Sequence, residues 1–148
     1  MALPNIILVP TDFSECSAAA LGYALDLATA AQGRIILTHA YQTPAPLMSP
    51  ALLARMPEFV GEILRTAESE MDKFKLRASV AQVPVETVVR EGDTRDVIFA
   101  VLRETKAQLI CMGTHGRRGV ARTLIGSVAE NIVRTSPVPV LTVHRSAS

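Results

Sequence analysis

The sequence predicts an α/β fold: a doubly wound sheet of five parallel strands with helices on both faces. Three observations carry this. Short apolar, β-branched runs alternate with longer segments of helical period in the order βαβαβαβαβ, a pattern that yields parallel strands joined by right-handed crossover helices. The runs are apolar throughout, as in Ile6-Ile7-Leu8-Val9, which suits strands covered on both faces. The 148 residues have the length of one domain.

The elements follow in order. Asn5 to Val9 is the first strand, ended by Pro10. Ser14 to Ala31 has helical spacing, with Leu21, Ala24, Leu25, Ala28 and Ala31 on one face and Gly33 as its stop. Arg34 to Ala40 is the second strand. Tyr41 to Pro50 carries Pro44, Pro46 and Pro50 and reads as a loop. Leu52, Met56, Phe59 or Val60, Ile63, Ala67, Met71 and Phe74 recur every three or four residues. They define a long amphipathic helix, with a break expected near Pro57. Val83 to Arg90 is the third strand. Asp93-Thr94-Arg95-Asp96 reads as a capping box that opens a helix to about Lys106. Gln108 to Met112 is the fourth strand, and Gly113 to Ile125 is a loop rich in glycine and arginine. Ser127-Val128-Ala129-Glu130 reads as a second capping box, opening a helix to Thr135, and Val138 to Val143 is the last strand.

Composition narrows the function. Lys and Arg number 15 against 14 Asp and Glu, a net charge of +1. That balance argues against a general nucleic-acid binder, which needs a basic excess to displace counterions. It also argues against a polybasic membrane anchor. Tryptophan is absent and aromatics make up 4%, too few for a base-stacking platform. The longest apolar stretch, Ala18 to Ala31, contains Asp26 and is shorter than the roughly 20 residues that cross a bilayer. The chain start has no basic n-region or cleavage site, and Cys16 and Cys111 lack CxxC spacing. The expectation is a cytoplasmic protein with reduced thiols.

The strongest local signal runs from Met112 to Val128, between a predicted strand and a predicted helix. It holds Gly113, Gly116, Gly126 and Ser127. Glycines let backbone N–H groups approach phosphate oxygens without a Cβ in the way, and the helix N-terminus adds free N–H groups and a favourable dipole. Ser127 can cap its helix or offer its hydroxyl to a phosphate, and Arg117, Arg118 and Arg122 can neutralise charge from the loop. The same glycines would serve a merely flexible connection; the placement between strand and capped helix favours an anion site. Neither a Walker A loop nor a GxGxxG fingerprint is present.

The second segment is Pro10-Thr11-Asp12-Phe13-Ser14-Glu15. Asp12 would sit at the carboxyl end of the first strand, where it could meet a ribose hydroxyl or a base, or hold a metal through water. Residue type alone favours the plainer reading, in which Asp12 or Ser14 caps the first helix. If both segments serve one site, strands one and four are neighbours, which requires the order 3-2-1-4-5 with its switch point between them.

With these residues in view, the chain resembles the universal stress proteins of the ATP-binding type. Gly113, Gly116, Gly126 and Ser127 fit that family's G-x2-G-x9-G-[ST] pattern at every fixed position. The start Leu8-Val-Pro-Thr-Asp-Phe-Ser14 and the ending Ser136-Pro-Val-Pro-Val-Leu-Thr-Val143 match as well. The resemblance spans about Asn5 to Val143. It implies a Rossmann-like five-stranded sheet in the inferred order. It further implies that Pro10, Thr11 and Asp12 meet the adenosine, that the Ala40 backbone contacts adenine, and that Met112 and Gly113 wall the ribose. Gly116, Gly126, Ser127 and Val128 would cradle the phosphates of ATP, or of ADP or AMP in its place, with Mg²⁺ accompanying the nucleotide. Thr114, His115, Arg117 and Arg118 fall in the same loop. His115 has no acidic neighbour in sequence to orient it, so it reads as a loop residue near the ligand and not as a catalytic base.

Family members commonly pair as homodimers through the last strand. Here Val138, Val140, Leu141 and Val143 would form an apolar edge that pairing with a second copy covers. The leading reading is thus an ATP-binding regulatory homodimer of the stress response, in which nucleotide gates partner interactions or oligomer state. The alternative is a slow ATPase or self-phosphorylating enzyme. No general base or dedicated lysine is recognisable for it. His39, His144 and the cysteines have no metal-ligand spacing.

Overall fold

The computed structural model describes residues 2–43, 49–115 and 125–144. The elements are β1 (Ile6–Pro10), α1 (Glu15–Ala31), β2 (Arg34–Tyr41), α2 (Pro50–Ala54), α3 (Met56–Ser79), β3 (Val85–Glu91), α4 (Thr94–Thr105), β4 (Leu109–Gly113), α5 (Ser127–Thr135) and β5 (Val140–Val143). All strand pairs are parallel, and the sheet order is β3-β2-β1-β4-β5. The switch point lies between β1 and β2 on one side and β4 on the other, as the shared-site argument requires.

Side chains alternate across the sheet with the period of two that strands impose. Ile7, Val9, Ile35, Leu37 and Cys111 turn to one face and pack with Leu21, Ala24 and Ala28 of α1 and Met71 and Phe74 of α3. Leu8, Ile36, Ile110 and Met112 turn to the other and pack with Val97, Ile98, Val101 and Leu102 of α4 and Ala129 and Ile132 of α5. The sheet is therefore doubly covered, which is why its inner strands carry no polar alternation. Fully burying each such aliphatic side chain contributes roughly 1.5–3 kcal/mol.

Three expectations need correction, and one is met. Ser127 does not cap its helix: Gly126 holds the N-cap position without a side-chain bond, and Ser127 is the first helical residue. Val138 is not in the last strand. Pro139 has no amide to donate, and the Val138 amide donates to Ser136 Oγ at 3.2 Å while its carbonyl accepts from the same hydroxyl at 2.7 Å. The strand starts only at Val140. The expected break near Pro57 is present, at Arg55. α2 ends at Ala54, and Pro57 lies in the first turn of α3, where its missing N–H costs nothing. Finally, only the C-terminal half of the apolar stripe on α3 is core. Ala67, Met71, Phe74 and Ala78 are buried, but Phe59 of α3 and Leu52 of α2 are exposed. Pro44 and Pro46 lie outside the described residues, while Tyr41 extends β2 and Pro50 opens α2.

Candidate functional site

The carboxyl ends of β1, β2 and β4 open onto one cavity of about 320 Å³, at the low end of the ~300–1,000 Å³ typical of small-molecule sites. It lies on the α4–α5 side of the switch point, where open α/β sheets bind ligands.

β1 delivers Pro10 and Thr11 to the cavity, and the turn to α1 delivers Asp12. Ser14, not Asp12, is the N-cap of α1, accepting from the Ser17 amide at 3.2 Å. Asp12 instead closes a local turn. Its Oδ1 accepts from the Ser14 amide at 3.0 Å and from Ser17 Oγ at 2.7 Å. Burial pushes the Asp12 carboxyl up, but the hydrogen bonds from Ser14 and Ser17 outweigh it, so the group sits below the ordinary carboxylate value of 3.8. A half-buried, ionised carboxylate therefore stands at the rim.

β2 contributes a backbone edge. The Arg34 amide donates to Asn5 of the β1 side, the Ile35 amide to Pro84 of the β3 side, and Thr38 accepts from the Thr11 amide at 2.8 Å. Successive residues of a parallel ladder thus face opposite neighbours. By that register the amide and carbonyl of Ala40 face the β1 side, beyond the last rung of the β1–β2 ladder at Pro10 and Thr38. One donor and one acceptor, a residue's width apart, are presented into the cavity Ala40 lines.

β4 ends in Met112 and Gly113, followed by Thr114 and His115, and all four line the cavity. Gly113 is a requirement of packing: a Cβ there would stand 2.8 Å from Cys16 Cβ and 2.9 Å from the Cys16 carbonyl carbon. Thr114 Oγ1 and His115 Nδ1 are 3.0 Å apart. His115 Nε2 is, among the described residues, the one buried side-chain polar atom without a hydrogen-bond partner. Such an atom calls for an explanation, and a polar ligand in the cavity supplies one.

The N-terminus of α5 completes the wall with Gly126, Ser127, Val128 and Ala129. Because Gly126 at the N-cap has no side chain and, among the described residues, none caps α5, its first-turn amides can take an anion, which the helix dipole favours.

Of the residues expected from sequence, Pro10, Thr11, Asp12, Ala40, Met112, Gly113, Thr114, His115, Gly126, Ser127 and Val128 line this single cavity. Gly116, Arg117, Arg118 and Arg122 lie outside the described residues. Sequence reasoning missed Ser17, Thr38, His39, Thr94, Val97, Ile98 and Ala129. Thr94, Val97 and Ile98 form the start of α4, which the Asp93 cap located, its side chain accepting from the Arg95 and Asp96 amides. No local pattern says that this turn closes over the end of β2. The described residues hold no cluster of three or more His, Cys, Asp or Glu able to bind a metal, and no helix among them is long and apolar enough to cross a membrane.

The comparisons agree with this architecture. Residues 4–144 match the model of the universal stress protein family. Universal stress protein MJ0531 of Methanocaldococcus jannaschii is 31% identical over 140 residues, covering 94% of this chain and 81% of the relative. Among solved structures, protein MJ0577 of the same organism superposes with a TM-score of 0.85 at 26% identity, covering 99% of this chain and 100% of that one. A universal stress protein solved in complex with cAMP superposes with a TM-score of 0.70 at 27% identity, covering 97% and 98%. The fold is accordingly Rossmann-like. By family match, sheet order and site position together, the chain belongs to the universal stress protein family.

Proposed function

We propose that the protein binds an adenine nucleotide, ATP or its ADP or AMP relatives, and works as a homodimer whose partner interactions the nucleotide gates. The observation that carries this reading is the meeting of three features in one cavity: the Ala40 backbone edge, the Asp12 carboxylate, and the uncapped start of α5. An N–H beside a C=O complements the N1 acceptor and N6 donor of adenine. An ionised carboxylate suits ribose hydroxyls, and free first-turn amides suit phosphates. The complex of a similar family member with cAMP supports the same ligand class. Mg²⁺ would be carried on the nucleotide's own phosphates.

The dimer reading rests on β5. Among the described residues it is the edge of the sheet and pairs with β4 alone. Ile110 donates to Pro139 and Thr114 donates to Val143, so odd-numbered residues serve the β4 ladder. Val140 and Thr142 then turn their amides and carbonyls outward, ready for a second copy. Val143 is already buried in this chain's own core, so the apolar contribution to an interface falls to Val140 and Leu141, both half-buried. Val138 packs inward beside the strand.

Calorimetry on nucleotide-free protein with ATP, ADP, AMP, cAMP and GTP tests the ligand. Adenine nucleotides should bind with a measurable heat. Asp12→Asn should weaken them about tenfold or more, the usual loss for a hydrogen bond to a charged group. Absence of binding by every nucleotide would overturn the reading.

A further inference from the structure

Phe13 stands between Asp12 and Ser14 with φ at 66°, a left-handed conformation that Gly or Asn adopts readily and a bulky residue does not. The hydrogen bonds of the turn do not use its side chain. The Asp12 amide donates to Ser17 Oγ at 3.3 Å, the Phe13 amide to Thr11 Oγ1 at 3.0 Å, and the Ser14 amide to Asp12 Oδ1 at 3.0 Å. A glycine could adopt the same backbone angles without strain, but it would have no side chain to hold it in them.

The ring supplies what a glycine lacks. Its centroid is 4.4 Å from the His39 ring and 5.6 Å, edge-on, from the ring of Phe74. Phe74 is buried in the core of α3, and the Arg77 guanidinium lies 5.3 Å from its ring centroid. His39 is fixed in turn. Its Nδ1 is 2.8 Å from the Thr11 carbonyl, which can only accept, so Nδ1 carries the proton. The turn is therefore gripped from β2 through His39 and from α3 through Phe74. Asp12 and His39 lie at the boundary: both line the nucleotide cavity and also a groove on the opposite side, formed with Phe13, Phe59, Ile63 and Ala67.

We infer that Phe13 is a positioning residue of the site: its ring, clamped by His39 and Phe74, holds the strained turn that presents the Asp12 carboxylate to the nucleotide. This rests on the nucleotide reading above and gives α3 a mechanical link to the ligand.

Two measurements on the full chain test it. The first follows the Asp12 carboxyl by NMR titration without nucleotide. Phe13→Gly should raise its midpoint as the Ser14 and Ser17 bonds loosen, and Phe13→Tyr, which keeps the ring, should restore the wild-type value. The second is a double-mutant cycle in ATP affinity. Phe13→Gly should weaken binding about tenfold in the wild type and less than about twofold in an Asp12→Asn background. An unchanged midpoint in Phe13→Gly, or an equal loss in both backgrounds, would overturn the inference. If the wild type binds no adenine nucleotide, the functional reading fails while the titration still decides the role of Phe13. Should Phe13→Gly not fold, Phe74→Leu removes the edge contact and should shift the midpoint in the same direction by less.

Discussion

The amide of Gly126 donates to the carbonyl of Thr114 across 2.6 Å, joining the end of β4 to the start of α5 on either side of the glycine-rich segment. The contact leaves no room for a side chain, since a Cβ on Gly126 would stand 2.8 Å from that same oxygen. Gly126→Ala should therefore destabilise the fold by about 1–3 kcal/mol, read from urea unfolding, and also weaken ATP. Ser127→Ala separates the two effects. Ser127 is exposed at the first turn, so its loss should change stability by less than about 0.5 kcal/mol while ATP affinity falls.

Gly113 answers to Cys16 in the same way. Gly113→Val should lower stability because α1 packs against β4 at this point. Cys16→Gly should not rescue it, because the Cys16 backbone carbon and oxygen also lie within 2.9 and 3.1 Å of the added Cβ. Thermal unfolding of the single and double variants checks this. A full rescue would mean that only the thiol side chain is in the way.

Asp12 sets an acid limit. Its folded value lies below its ordinary 3.8, so the folded state binds this proton less readily than the unfolded chain. The stabilisation is complete above about pH 4 and is lost as pH falls through the depressed folded value. The stability difference between wild type and Asp12→Asn should hold from neutral pH to mild acid and shrink below it, as followed by urea titrations at stepped pH.

The two thiols should differ in reactivity. Burial pushes the Cys111 thiol up to about 12, and its Sγ lies 3.2 Å from the Ala20 carbonyl. Cys16 is half-exposed. Iodoacetamide at pH 8 should label Cys16 in the native protein and Cys111 only after denaturation, as mass spectrometry of the modified peptides will show.

Thr142→Pro should separate copies of the chain. The Thr142 amide points away from β4 by the ladder alternation, so proline there removes a donor from the free edge and none from the β4 ladder. Sedimentation velocity should give a dimer for the wild type and a monomer for the variant, with little change in melting temperature. A variant that remains dimeric would place the interface elsewhere.

Much of this was legible in the residues themselves. The apolar runs of Ile6 to Val9 and Ile35 to Leu37 declared buried parallel strands, because a strand covered on both faces has no reason to alternate. The glycine spacing from Gly113 to Ser127 and the turn at Asp12 marked one site, because backbone approach to an anion and a carboxylate at a strand end are local demands. The sheet order followed from asking those two segments to meet.

Packing across the sheet decided the rest, because periodicity reports which face a side chain takes and not what lies opposite. Leu52 and Phe59 continue the apolar stripe of Met71 and Phe74, yet only the latter pair meets the core. Thr94, Val97 and Ile98 line the cavity only because α4 folds over the end of β2. The glycines at 113 and 126 looked like openings for phosphate; in the fold they are first the places where α1 and Thr114 come too close for a Cβ. The left-handed backbone of Phe13 has no signature in the chain, since it is held by His39 and Phe74, residues that only the tertiary structure brings to it.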